Sequence, residues 1–330
     1  MPDTAAGTAT GGPSTQRGRP PAWQGPAVDL KQQHPRHGER VIKVGLVGAA
    51  WLSVAVTVGI VISLLAPTVT FFTHVGLGDF LFGTEWTGGF GDKFSWTDKA
   101  WGVLPLVVAT AIITLIALAV AVPLGLGAAI YLSEYASIRV RKLLKPVLEV
   151  LAGIPTVVYG FLALTVFTPL FANLVQFNTI HNMLSPGIVM GFMIVPTIAS
   201  LGEDAMSAVP LALRQGSYAL GANRMKTTLR VVFPAALSGI VAAIVLGISR
   251  AVGETMIVTI AAGSRAQLTF DPREGAQTMT GFIAQIASGD APQGSPVYYS
   301  LFAVGALLFA ITLLINLASI RLVRKYRQAY

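Results

Sequence analysis

Arg250 and Glu254 stand four residues apart in "GISRAVGETMIV" (Gly247–Val258), a run that is otherwise apolar or uncharged. On a continuous helix that spacing places both side chains, with Gly247, on one face. Two chemistries fit. One is a self-neutralised ion pair with a structural role. The other is an anion site on a water-accessible path, where a planar guanidinium donates two parallel hydrogen bonds to a tetrahedral oxyanion. No other constellation competes with this pair. Glu203 and Asp204 are adjacent carboxylates, but successive helical positions diverge, so they read as a loop acid cluster rather than an acid/base dyad. His34, His37, His74 and His181 lack metal-ligand spacing. The chain has no cysteine, hence no disulfide, thiolate site or thiol nucleophile. It also has no G-x-x-x-x-G-K-[ST] loop to cradle nucleotide phosphates.

The elements that must position the pair are membrane spans. Hydrophobic residues make up 53% of the chain and charged ones 12%, and the mean hydropathy is +0.66. That is too apolar for a soluble protein. No Asp, Glu, Lys or Arg occurs in Val44–Gly78, Ala100–Ser133, Val150–Gly202 or Ala291–Ile320. A spanning helix needs about 20 apolar residues, so the first, second and fourth runs hold one span each. The third holds two, divided near Asn173–Asn182. One more span, from about Leu237 to Ala262, brings the number to six and carries the pair; it is the fifth in chain order. Rising at about 1.5 Å per residue, it places Arg250 roughly 20 Å from Leu237, at mid-membrane depth. A central arginine costs at least about 2.5 kcal/mol on insertion scales. Pro155 and Pro196 fall inside the third and fourth spans, where proline kinks a helix.

Eighteen of the 23 Lys and Arg residues lie on one side: in the N-terminal tail, the loop Glu134–Lys145, the loop after Gly202 and the C-terminal end. The positive-inside rule then puts both termini in the cytoplasm of a multi-pass membrane protein. Scattered over short juxtamembrane loops, this charge points to lipid headgroups and not to nucleic acid. Residues 1–40 read as a disordered basic tail and 41–330 as the transmembrane domain. The first apolar run is too long for a signal-peptide h-region. In the outer loop, Phe80, Phe82, Trp86, Phe90, Phe94 and Trp96 read as an interfacial aromatic belt.

The loop between the fourth and fifth spans, about 201–234, is amphipathic: Arg214, Arg224, Lys226 and Arg230 alternate with apolar residues in "LALRQGSYALGANRMKTTLRVVFP". It fits a helix on anionic headgroups or a docking surface. Its spacing resembles the coupling motif of ABC-importer permeases: EAA, three residues, Gly, nine residues, I-x-L-P. Gly221 is followed after nine residues by Val231-Val232-Phe233-Pro234, while Gln215, Gly216 and Ser217 replace the Glu-Ala-Ala. "IYLSEYAS", "EVLAGIPTVVYG" and "SRAVGETMIVTIAAG" are further similar to the PstC-type permeases of phosphate (Pst) ABC importers, from about Trp96 to the C-terminus.

That resemblance implies an all-α integral-membrane protein of MetI-like (type I importer) fold, with a five-helix core, an extra first helix and a cytoplasmic coupling loop. It implies Arg250 on the phosphate path with Glu254 as counter-charge, and Gln215, Gly216, Ser217, Gly221 and Pro234 at the ATPase contact. The implied partners in a bacterial inner membrane are a PstA-type permease, two PstB-type ATPase subunits and a PstS-type phosphate-binding protein. ATP would be bound and hydrolysed by the ATPase subunits, so this chain needs no cofactor and is no enzyme. Two alternatives stay open: a permease for another oxyanion such as sulfate or molybdate, or a membrane scaffold for phosphate signalling.

Overall fold

The computed structural model describes residues 37–87, 96, 100–177 and 179–326. The tail up to residue 36, together with Phe90, Phe94, Lys93 and Lys99, lies outside the described residues. The chain divides into two units, 1–57 and 58–330. In the first, the described residues belong to the long helix α1 (His37–Phe72), and 41–57 are exposed throughout. A helix that is apolar around its whole circumference is stable where lipid is the solvent.

In the second unit α1 runs out to Phe72 and the short α2 (Leu77–Phe82) follows. Next come α3 (Leu104–Ile130), α4 (Ile138–Ala152), α5 (Thr156–Leu162), α6 (Thr168–Val175) and α7 (Leu184–Ser207). The loop helices α8 (Leu211–Ala219), α9 (Arg224–Thr227) and α10 (Phe233–Ala235) lead into α11 (Leu237–Val252) and α12 (Met256–Ala261). The chain closes with α13 (Met279–Gln285) and α14 (Pro296–Tyr326). Among the described residues four helices are long and apolar enough to cross a membrane alone, and two bent pairs bring the number to as many as six. The six-span expectation therefore holds when each bent pair counts once.

The core is the seam between α3 and α7. Gly187 and Gly191, spaced as G-x-x-x-G, let the two backbones close. A Cβ on Gly187 would lie 2.7 Å from Ile116, and one on Gly191 would lie 2.7 Å from Val120. Gly125 on α3 repeats the device against Ile198, at 2.8 Å. Around these contacts Ile113, Ala117, Met190, Met193 and Ile194 are fully buried.

Four expectations need correction. Pro155 does not kink a continuous helix: it precedes α5, at a break with a bend of 85° between α4 and the α5–α6 segment. The fifth span is not one rod to Ala262, because α11 ends at Val252 and α12 starts at Met256. Glu203 and Asp204 lie in the last turns of α7, not in a loop. The aromatics do not all form a lipid-facing belt. Phe80 and Trp86 are buried with Phe71, Trp101 and Phe282 in edge-on contacts such as Trp86–Phe282 at 5.0 Å. Of the expected belt, only Phe82 is largely exposed among the described residues.

Candidate functional site: a lone guanidinium and a clasped loop

The break in the fifth span separates the two residues that its sequence pairs. Arg250 sits in the last turn of α11, half-buried, and its Nη1 donates to Thr197 Oγ1 on α7 at 3.0 Å. Among the described residues no carboxylate comes within ion-pair distance of it. Glu254 lies in the break and turns to the next helix. Its Oε1 accepts from the backbone N–H groups of Met256 at 3.0 Å and Ile257 at 3.3 Å. Its own carbonyl accepts from Thr280 Oγ1 at 2.6 Å. The first N–H groups of a helix have no intrahelical acceptor and carry partial positive charge. A buried carboxylate is compensated there without an arginine. The shared helix face expected of the pair is therefore absent: Glu254 caps α12, and Arg250 keeps most of its donors open.

At the other end of α11 the coupling-loop residues are organised around a helix stop. The N–H of Gly221 donates to Tyr218 O at 2.9 Å and that of Ala222 to Ser217 O at 3.2 Å. This Schellman pattern closes α8, with Gly221 at φ +80° in the left-handed region that glycine enters at no steric cost. Nothing lies within 4 Å of where its Cβ would be, so this glycine serves conformation and not close packing. Ser217 Oγ and Thr227 Oγ1 share a hydrogen bond of 2.9 Å across the turn, and Asn223 caps α9 through Lys226 N at 2.9 Å. Gln215, Gly216 and Pro234 are exposed, as are Leu211, Tyr218, Leu220 and Met225 nearby.

What grips this loop was not legible in its spacing. Arg214 does not reach for headgroups: Nη1 donates to Glu134 Oε1 at 2.6 Å and Nη2 to Met206 O at 2.7 Å. Glu134 is buried in the π turn Tyr131–Tyr135 that ends α3. Its neighbour Tyr135 lies under the guanidinium of Arg224 on α9, with 5.1 Å to the ring centroid. Consecutive residues of "SEY" thus hold both arms of the bend at Gly221. A second buried carboxylate, Glu203 on α7, is paired with Arg141 and with Lys145 of α4, the latter at 2.9 Å. Lys145 also reaches Asp204 at 3.1 Å. The acid pair is thus a structural junction between α4 and α7.

The comparisons with known proteins bear directly on this arrangement. Residues 121–328 match the family described as binding-protein-dependent transport system inner membrane component. The chain belongs to this permease family. It is 39% identical over 218 residues to the probable ABC transporter permease protein YqgH of Bacillus subtilis, covering 66% of this chain and 70% of the relative. It is 37% identical over 248 residues to the phosphate transport system permease protein PstC 1 of Mycobacterium tuberculosis, covering 68% and 73%. The PstC of Haemophilus influenzae is 32% identical over 270 residues, covering 76% and 82%. Among solved structures, a bacterial alginate ABC transporter superposes with a TM-score of 0.59 at 15% identity, over 89% of this chain and 99% of that one. The inward-facing MetNI methionine ABC transporter gives 0.50 at 20% identity, over 69% and 95%. At such identities the likeness speaks for the fold, which is the type I permease fold expected. The permease is an inner membrane component whose matched region holds Arg250, the "SEY" turn and the whole coupling loop.

Proposed function

We propose that this permease is the PstC-type subunit of an ATP-driven phosphate importer and forms half of the anion path. The observation that carries the reading is Arg250: a half-buried guanidinium in the last turn of α11, held by one neutral hydroxyl and without a carboxylate partner among the described residues. A charge placed there is costly, and a passing oxyanion compensates it. The names of the relatives supply the anion, phosphate. Both termini and the α8–α10 loop face the cytoplasm, as the Lys and Arg distribution requires.

The permease pairs with a PstA-type subunit. Two PstB-type ATPases receive the coupling loops, and a PstS-type protein delivers phosphate from outside. ATP is bound and hydrolysed in the ATPase subunits. Closure of the ATPases moves α8, and the grip of Glu134 and Tyr135 carries that movement into α3 while Arg214 passes it to the end of α7. The exposed apolar residues around Gly221 suit a protein contact.

The test is uptake of labelled phosphate by the four-component complex in proteoliposomes. ATP-dependent uptake that excess sulfate or molybdate leaves unchanged is the expected result. Equal competition by sulfate would instead assign the other-oxyanion function. Intact phosphate signalling without any uptake would leave the scaffold role.

A further inference from the structure

We infer that α4 is an interfacial helix that docks acidic phospholipid headgroups through Arg139 and Lys142. The inference rests on the membrane reading above but not on the identity of the transported anion. Thr156 to Val175 supplies 20 residues, about 30 Å of helix, and so crosses the hydrocarbon without help from α4. The 85° bend at Gly153–Pro155 then turns α4 along the membrane surface. Its ion pairs to the last turns of α7 place it at the same end of the molecule as the clasped coupling loop.

Three faces follow from the helical period of 100° per residue. Arg141 and Lys145 meet Glu203, and with Leu144 and Leu148 they form the side packed on α7. Leu143, Val147, Val150 and Leu151 form an apolar stripe that stays exposed, Leu143 by 68% and Val150 by 70%. Next to it lie Arg139 and Lys142, both exposed and in no ion pair among the described residues. An open recess of about 450 Å³ lies beside Lys142 and reaches Arg141 and Lys145, with Ile138 and Pro146 as its apolar wall and Glu149 its one acid. An apolar stripe beside free cations, on a helix lying across the end of a membrane bundle, is complementary to acyl chains beside anionic phosphate. A partner protein would have to match the same stripe while supplying acid at those two positions.

The assembled complex tests this without any transport assay, so a failure here and a failure of the phosphate reading are separable. The chain has no cysteine, so Val147→Cys can carry a single fluorophore. In nanodiscs it should be quenched by lipid bearing a shallow nitroxide. A label shielded from that lipid would mean that protein covers α4 and would overturn the proposal. The second arm weighs phosphatidylglycerol retained against phosphatidylcholine after purification from a mixture of the two. Retention should favour phosphatidylglycerol, weaken as salt rises and resist inorganic phosphate. Arg139→Gln with Lys142→Gln should lower the preference by roughly tenfold, while Arg139→Lys leaves it in place. No preference in the unaltered chain, or a preference indifferent to salt, rejects the site even if the double variant fails to assemble.

Discussion

The two ends of α11 treat charge in opposite ways. At the coupling end each buried carboxylate meets cations: Glu134 with Arg214, Glu203 with Arg141 and Lys145. At the far end Arg250 has a threonine hydroxyl, and the nearest acid in sequence is spent on capping a helix. Compensated charges hold elements together. Arg250 makes no such tie among the described residues. The contrast sets ion-paired residues that join helices apart from the one proposed to meet the anion, and substitutions at each end should separate likewise.

The sharpest break comes at the clasp. Glu134→Gln leaves Arg214 charged and unpaired in a site where it is 15% exposed. Loss of one partner of a buried pair costs about 3–5 kcal/mol. The variant complex should melt well below the parent and hydrolyse ATP without uptake. Exchanging the pair, Glu134→Arg with Arg214→Glu, should recover part of both, and equal damage in single and exchanged variants would show that the contact transmits nothing.

Arg250→Lys comes next. It keeps the charge and loses the two-pronged donor, so assembly survives while uptake falls by roughly 100-fold, the worth of one or two charge-assisted hydrogen bonds. Uptake within twofold of the parent would return Arg250 to a packing role. Gly221→Val is milder: a β-branched residue forced to φ +80° costs about 1–2 kcal/mol with no steric clash. Its coupling ratio should drop severalfold, whereas Gly221→Asn, which tolerates that region, should retain most of it.

The smallest effect belongs to the loop between α12 and α13. The guanidinium of Arg273 donates to Asp271 at 2.6 Å and holds its carboxyl down at about 2. The folded value lies below the ordinary 3.8, so the contact contributes above that value and is lost as pH falls through about 2. The protection of amides around residues 269–274, taken relative to their intrinsic exchange at each pH, should therefore be flat from neutral pH to about 4 and fall below it, a loss that shows as a rise in relative exchange. Asp271→Asn should remove that rise.

Much of this was legible in the chain. Charge-free runs located the apolar helices, and the Gly221–Pro234 spacing located a loop that folds into short helices around a bend at Gly221. The break after Val252 was not legible, because Gly253, Glu254 and Thr255 interrupt no apolar pattern long enough to register. The contact that fixes it comes from Thr280, 26 residues on. Glu134 and Glu203 read as loop charges since their partners lie 80 and 62 residues away in sequence. The basic run Arg139–Lys145 hid a helix, though its 3.6-residue apolar period could have found α4. The aromatic belt failed for a related reason: Trp86 and Phe80 have a packing partner, Phe282, in a distant segment.

The glycine seam of α3 and α7 decides where motion can occur. Ridges seated on Gly187, Gly191 and Gly125 without room for one methyl cannot slide by a fraction of a turn. The two helices therefore travel as a single beam. Any switch between inward and outward access must be taken up elsewhere, at joints where the rods are already interrupted: Gly153–Pro155 on one flank and Gly253–Thr255 on the other. Arg250 is three residues from the second joint, so the proposed contact with the anion lies within one helical turn of a place where the rod is already broken.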